Sequence, residues 1–218
     1  MLQYPYLILD HDDTVVASTP SIHYLSFTDT LKKLRPEVHW SLDRFIQYNF
    51  EPGFEKMCRQ ILQFNDEEMK FQETNWRQWV EKLHPPMFEG MVSLLKRFKE
   101  SGGTICVVSH SSADIIARDY QEQCGFVPDM IFGWELGPEK RKPQSWPLEQ
   151  IMKRYDCKPQ ELLMVDDLKP GWQMAKRCEV PFAFAGWGNP LKEIHAFMKV
   201  NADYYLNQVI ELEDILYL

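Results

Sequence analysis

The chain has 218 residues, which is enough for one hydrophobic core and a small inserted domain but too few for two large domains. Hydrophobic residues make up 44% and charged residues 26%, which is typical of a folded globular protein and argues against a disordered chain. The formal net charge of -8, with no run rich in Lys and Arg, repels polyanions and excludes nucleic acid as an expected partner.

The N-terminal segment MLQYPYLILD contains the first predicted strand. It has no basic start and its apolar run stops at an acid, so it is typical of neither a signal peptide nor a membrane span. We therefore expect a cytoplasmic protein that does not associate with membranes. Residues 4–9 form a short apolar run that ends at Asp10, a pattern that favours a buried parallel strand leading into a functional loop.

Residues 16–84 form a stretch in which no further buried strand is predicted. The stretch is rich in aromatic residues, and its segments SFTDTLKKL and EMKFQETNWRQWVEKL have the polar and apolar periodicity of helices. Pro85 and Pro86 then stop the last helix and stiffen the connection that follows. The sequence thus predicts a helical domain at residues 16–84, inserted into a core domain made of residues 1–15 and 85–218.

From Gly90 to the end of the chain, short apolar runs alternate with helical patterns. The apolar runs are TICVVS at 104–109, DMIF at 129–132, ELLMV at 161–165 and PFAFA at 181–185. Segments such as MVSLLKRFKE and SADIIARDYQEQC have helical periodicity. This alternation predicts an α/β fold with a Rossmann-like parallel sheet and helices on both of its faces.

Polar residues follow the predicted strands at their carboxyl ends, which is where open parallel sheets bind ligands. Taken singly, each has an ordinary explanation as a turn, a helix cap or a solvated basic run. Together, at one edge of one sheet, they predict a catalytic site. The group comprises Asp10 and Asp12 after the first strand, Ser109 at the end of the second, Lys142 in the loop before the third crossover helix, and Asp166 and Asp167 after the fourth strand.

The same residues give the chain a resemblance to the haloacid dehalogenase superfamily. That superfamily has four ordered motifs, and LILDHDDT, ICVVSHSS, RKP and LLMVDD are similar to all four. The resemblance covers essentially the whole chain, because the insertion after the first motif is similar to the superfamily's helical type-one cap. Three positions depart from the commonest pattern: Asp13 stands where Gly is typical, Ala17 where Asp is frequent, and Gly171 where a further Asp often follows.

The resemblance implies a magnesium-dependent phosphohydrolase. Asp10 would attack the phosphorus atom and form an aspartyl-phosphate. Asp12 would protonate the leaving alkoxide and later deprotonate the hydrolytic water. Thr14 is expected to orient Asp12 through its hydroxyl group. The helical insertion is expected to close over the active site and to select substrates.

The remaining residues of the motifs are expected to bind the phosphoryl group and the metal ion. Ser109 and Lys142 would stabilise the phosphoryl oxygens in the transition state. Mg²⁺ prefers oxygen ligands and relieves the repulsion between neighbouring carboxylates. Its expected ligands are Asp10, Asp12 and Asp167, with Asp166 in a supporting position.

Several alternatives remain open at this point. Asp12 argues against a dehalogenase reaction, because a halide leaves without being protonated. A phosphotransferase of the sugar-phosphate mutase type would keep both aspartates and the cap, and a non-catalytic sensor or binding protein could keep the fold.

We expect a small phosphorylated metabolite as the partner and a monomer or weak dimer in solution. His11 and His110 are interpreted as loop residues with satisfied hydrogen bonds.

Overall fold

The computed structural model describes residues 1–217, which divide into two compact units. One unit combines Met1–Val16 with the chain from Met87 onward, and the other is Ala17–Pro86. The strands are β1 (Tyr6–Leu9), β2 (Thr104–Val108), β3 (Met130–Phe132), β4 (Leu162–Asp166), β5 (Phe182–Ala185) and β6 (Tyr204–Leu206). The α-helices are α1 (Tyr24–Leu34), α2 (Leu42–Phe50), α3 (Phe54–Lys56), α4 (Asp66–Lys82), α5 (Met91–Glu100), α6 (Ala113–Cys124), α7 (Trp146–Tyr155), α8 (Lys169–Arg177), α9 (Lys192–Asn201) and α10 (Val209–Leu216).

The strands form one parallel sheet in the order β3-β2-β1-β4-β5-β6. The predicted α/β fold with a Rossmann-like parallel sheet is therefore confirmed. The direction of the strand order reverses between β1 and β4. In doubly wound sheets this reversal opens a crevice at the carboxyl ends of the strands, where ligands bind.

The sixth strand was not predicted from the sequence. Tyr204–Leu206 pairs in parallel with β5, and Tyr204 lies opposite Ala183. The strand has three residues, of which the first two are only partly buried. It lies at the edge of the sheet, so it lacks the continuous apolar run by which the central strands were recognised.

The core of the first unit explains the apolar run before Asp10. Leu7, Ile8 and Leu9 are fully buried in β1, which pairs with β2 on one side and with β4 on the other. A central strand of a parallel sheet is covered on both faces, so all its side chains are apolar instead of alternating with polar ones. Met91 and Phe98 of α5 are also fully buried in this core.

The second unit, residues 17–86, consists of helices and the loops that connect them, with no strand among its described residues. The side chain of Asn65 accepts a hydrogen bond from the backbone of Glu68 at 2.9 Å, and Glu68 accepts one from the backbone of Asn65 at 3.0 Å. This capping box fixes the start of α4 because it satisfies backbone N–H groups that the helix leaves free. The unit has its own apolar cluster, comprising Phe27, Leu31, Phe45, Met57, Cys58, Leu62 and Phe64. Among all the described helices, none is long and apolar enough to cross a membrane.

Candidate active site

The ends of β1, β2 and β4 bring the predicted site residues to the crevice between β1 and β4. Asp10 directly follows β1, and its backbone N–H donates to the carbonyl oxygen of Val165 in β4 at 2.9 Å. Ser109 directly follows β2, and its N–H donates to the carbonyl oxygen of Phe132 in β3 at 2.9 Å. Asp166 is the last residue of β4. These side chains are therefore held at one edge by the hydrogen bonds of the sheet itself.

Lys142 connects two of these carboxylates. Its Nζ atom lies 2.7 Å from Oδ2 of Asp10 and 2.6 Å from Oδ2 of Asp166, and all three side chains are buried. Burial alone lowers the pKa of Lys142, but the charges of Asp10 and Asp166 outweigh burial and raise that pKa above its ordinary value. Lys142 is consequently protonated at neutral pH, directly beside the carboxylate of Asp10.

The backbone of the Lys142 loop is held by His110. The ring nitrogen Nε2 of His110 lies 2.8 Å from the carbonyl oxygen of Lys142 and donates to it, because a carbonyl oxygen only accepts. Burial, and then the charge of Lys142, lower the pKa of His110 to about 3. His110 is therefore neutral at pH 7, and its contact here is to the backbone of the loop.

Three acidic side chains form a cluster that fits a metal ion. Carboxylate oxygens of Asp10, Asp166 and Asp167 lie within 4.8 Å of one another, and all three residues are buried. Both oxygens of Asp166 already accept hydrogen bonds, one from Lys142 and one from the backbone N–H of Leu168 at 2.7 Å. Oδ1 of Asp167, in contrast, is buried and has no partner among the described residues. Asp167 thus has an oxygen free for a ligand.

Repulsion between the carboxylates of this cluster also favours binding of a cation. Burial, followed by the charge of Asp10, raises the pKa of Asp166 to about 7. Burial, followed by the charges of Asp166, Asp13 and Asp10, raises the pKa of Asp167 well above its ordinary value. A divalent ion would offset this repulsion, and a donor set made only of carboxylate oxygens suits Mg²⁺ instead of thiolate-seeking metals.

The carboxylate of Asp12 is held by a residue that follows β2. Its Oδ2 atom accepts a hydrogen bond from the hydroxyl of Ser111 at 2.5 Å, and its carboxylate is outside the acidic cluster found among the described residues. Oγ1 of Thr14 is fully buried and has no hydrogen-bond partner in the described part of the chain. The described hydrogen bond to the carboxylate of Asp12 therefore comes from Ser111, in the loop after β2, and none is seen from Thr14.

Two departures from the commonest family pattern have a structural explanation. Asp13 has a φ of 54°, so it retains the left-handed conformation that glycine adopts most easily and that Asp tolerates better than most residues. Gly171 faces Asp166: a β-carbon there would lie 2.1 Å from Oδ2 of Asp166. The side chain of Asp166 therefore occupies the space that an acid at position 171 would need.

Sequence reasoning gave no function to four residues that contact the site. Ser111 and His110 lie in the segment SHSS, at the end of the second motif, and the only sequence signal for a role of either residue was its proximity to Ser109. His11 places Nε2 3.1 Å from Oδ2 of Asp119, and its backbone N–H donates to Oδ1 of Asp10 at 2.7 Å. Asn189 lies in the loop after β5, and its Nδ2 atom is 3.4 Å from Oδ2 of Asp167. No spacing in the sequence connects Asn189 with the fourth motif.

Comparison with known families gives one match over most of the chain. The sequence profile of haloacid dehalogenase-like hydrolases matches residues 7–185. This range begins in β1, ends with β5, and contains every predicted site residue. Among curated protein sequences, no match was found.

Solved structures with the same fold cover nearly the whole chain. A haloacid dehalogenase-like hydrolase from Bacteroides fragilis has a TM-score of 0.80 and 18% identity, covering 96% of this chain and 99% of its own. CbbY from Rhodobacter sphaeroides, in complex with xylulose-(1,5)bisphosphate, has a TM-score of 0.78 and 15% identity, with full coverage of both chains. A predicted phosphoglycolate phosphatase from Haemophilus somnus 129PT has a TM-score of 0.76 and 16% identity, covering 99% of both chains.

Proposed function

This chain belongs to the family of haloacid dehalogenase-like hydrolases, and from that membership we propose that it is a magnesium-dependent phosphomonoesterase. Its substrate would be a small phosphorylated metabolite, and the reaction would pass through an aspartyl-phosphate on Asp10. The observation that carries the proposal is the contact of buried Lys142 with Asp10, at 2.7 Å, beside the free oxygen of Asp167. The residues that would serve as nucleophile, fixed cation and metal-binding acid are thus adjacent.

The first step is attack by a carboxylate oxygen of Asp10 on phosphorus. The bond between phosphorus and the ester oxygen breaks, and the leaving oxygen takes a proton from Asp12. The carboxylate of Asp10 is oriented for attack because Oδ1 accepts from the backbone N–H of His11 and Oδ2 contacts Lys142. Lys142 would also attract the phosphoryl oxygens, whose charge must be stabilised in the transition state.

The second step is hydrolysis of the aspartyl-phosphate. Asp12, now ionised, accepts a proton from water as the water oxygen attacks phosphorus, and the carboxylate of Asp10 leaves unchanged. The hydrogen bond from Ser111 to Oδ2 of Asp12 keeps that carboxylate oriented between the two steps. Asp12 is less buried than Asp10, which suits a group that must meet a substrate and then water.

The residues that would hold Mg²⁺ are Asp10 and Asp167, with Asp166 in support. The choice of Asp167 over Asp166 rests on the unpartnered oxygen of Asp167 and on the two hydrogen bonds that already occupy Asp166. Asp10 is assigned because its carboxylate belongs to the same cluster, where Lys142 and the backbone N–H of His11 also contact it. The carboxylate of Asp12 lies outside the acidic cluster, so it is assigned to proton transfer. When bound, the ion supplies positive charge that neutralises the phosphoryl oxygens and the neighbouring carboxylates.

The substrate class is supported by one of the structural relatives, which holds a sugar bisphosphate.

The test of the proposal is release of inorganic phosphate from a generic aryl phosphate, with Mg²⁺ and with a chelator. We expect phosphate only with Mg²⁺, and equal rates in both conditions would overturn the metal requirement. If an added sugar bisphosphate instead activates turnover of a sugar phosphate and no inorganic phosphate is released, the protein is a mutase. Absence of any turnover over a broad set of phosphorylated metabolites would favour a sensor.

A further inference from the structure

The loop after β5, residues 186–189 and hereafter the GWGN loop, contacts both acidic segments of the site. The indole N–H of Trp187 donates to the carbonyl oxygen of Thr14 at 3.0 Å. Gly188 lies against the same segment: a β-carbon at Gly188 would be only 1.6 Å from the carbonyl oxygen of Asp13. The GWGN loop therefore packs directly on the backbone that follows Asp10 and Asp12.

The last residue of the GWGN loop, Asn189, contacts the other acidic segment. Its Nδ2 atom points to Oδ2 of Asp167 at 3.4 Å, and both residues are buried. Oδ1 of Asn189 accepts a hydrogen bond from the backbone N–H of Leu191 at 3.1 Å, so the N–H side of the amide is turned to Asp167. One oxygen of Asp167 is thereby occupied, while its Oδ1 stays without a partner among the described residues.

Asn189 is itself held in place by His195, which lies outside the loop and is in turn held by two further residues. The Nε2 atom of His195, on α9, lies 2.6 Å from the carbonyl oxygen of Asn189 and donates to it. This leaves Nδ1 of His195 to accept from the hydroxyl of Tyr205, in β6, at 2.5 Å. The His195 ring also packs edge-on against Phe184 of β5, with centroids 5.1 Å apart. The position of Asn189 is therefore fixed from α9 and from the sheet.

We propose that Asn189 is a positioning residue that orients Asp167 for metal binding, and that His195 fixes Asn189 in the required position. The inference rests on the proposed metal site. An N–H group directed at Oδ2 restricts rotation of the carboxylate and leaves Oδ1 as the oxygen presented to the ion. Groups that orient metal ligands in this way commonly contribute a factor of about 10 to 100 in metal affinity.

The space around Asp166 explains why the side chain that contacts Asp167 comes from the loop after β5 and not from α8. A side chain at position 171, at the start of α8, has no room beside Asp166, because its β-carbon would overlap that carboxylate. Asn189 approaches Asp167 from the loop that follows the neighbouring strand, β5. An amide donates a hydrogen bond without adding another negative charge to a cluster in which neighbouring carboxylates already repel one another.

The experiment measures binding of Mn²⁺, as a paramagnetic substitute for Mg²⁺, to the purified full chain by electron paramagnetic resonance titration. Asn189→Ala should weaken binding by about 10-fold or more, with the thermal midpoint in chelator close to that of wild type. His195→Ala should weaken binding in the same direction by a smaller factor, and His195→Gln, which can still donate to the Asn189 carbonyl, should recover part of the loss. A loss confined to Asn189→Ala would overturn the proposed action of His195.

The matched control is Trp172→Phe. Trp172 also donates to a backbone carbonyl of α9, that of Asn201 at 3.1 Å, but none of its described hydrogen bonds goes to Asp167. Trp172→Phe should bind Mn²⁺ like wild type. Wild-type affinity in Asn189→Ala, or an equal loss in Trp172→Phe, would overturn the inference about Asn189. Asp167→Ala tests the metal site independently of Asn189: if that variant binds Mn²⁺ normally, the proposed metal site itself is wrong.

Discussion

The hydroxyl of Ser111 donates a hydrogen bond of 2.5 Å to Oδ2 of Asp12, although the two residues follow different strands. Thr14, which lies closer to Asp12 in sequence, keeps its hydroxyl buried and without a partner in the described part of the chain. Proton transfer requires the carboxylate of Asp12 to be held toward the leaving oxygen. The residue that holds it comes from the second motif.

Replacing Ser111 should therefore impair catalysis more than replacing Thr14. We expect Ser111→Ala to lower kcat by about tenfold, equivalent to ~1.4 kcal/mol of barrier, with KM little changed. Thr14→Val, which removes the other hydroxyl at nearly constant volume, should stay within about twofold of wild type, because its hydroxyl makes no bond to lose. Steady-state kinetics of both variants with the same phosphate ester test this assignment. The reverse order of effects would restore Thr14 as the residue that orients Asp12.

Lys142 should stabilise the fold as well as the transition state. Lys142→Met removes the cation that contacts two buried carboxylates, those of Asp10 and Asp166. An uncompensated buried charge typically costs about 3 to 5 kcal/mol, so the free energy of unfolding measured in chelator should fall by about 3 kcal/mol. Added Mg²⁺ should restore part of the loss, because it also neutralises the cluster. Unchanged stability in urea titrations would mean that the three groups do not form a coupled ion pair network.

Asp167 and Asp166 should respond differently to magnesium. Asp167→Ala removes a carboxylate with an unpartnered oxygen, whereas Asp166→Ala removes one whose oxygens bind Lys142 and the backbone of Leu168. We expect the Mg²⁺ concentration for half-maximal rate to rise by at least about tenfold more in Asp167→Ala than in Asp166→Ala. Magnesium titrations of initial rate distinguish the two. An equal or inverted effect would transfer the metal ligand to Asp166.

The insertion at residues 16–84 should determine which substrates are accepted. Exchanging it for another helical cap should change the order of preference among phosphorylated metabolites, because closure of a cap excludes water and completes the site. Weak Mg²⁺-dependent hydrolysis of a small aryl phosphate should survive the exchange, since the proposed catalytic residues all lie outside the exchanged segment. Comparing the substrate profiles of the chimera and of both parents tests this. A profile that follows the core domain would contradict the prediction.

The parts of the fold that could be predicted are those with a local signal. Strands β1, β2, β4 and β5 are buried on both faces, so each gives a continuous apolar run, and the acids that follow two of them mark the site. The edge strand β6 has no such run and was missed. Asn189 and Ser111 were missed for another reason: each acts on a carboxylate from a different strand, and only the folded sheet brings those loops together.

The most direct measurement is of the phosphoryl group on Asp10. With an aryl phosphate the leaving group needs little protonation, so Asp12→Asn should still transfer the phosphoryl group but should hydrolyse the intermediate slowly, because the base for water is missing. Acid quenching during turnover, followed by mass mapping of peptides, should then find one phosphoryl group on the peptide that contains Asp10. Asp10→Asn should give neither label nor turnover. A label on another residue, or turnover of Asp10→Asn within about tenfold of wild type, would contradict nucleophilic catalysis by Asp10.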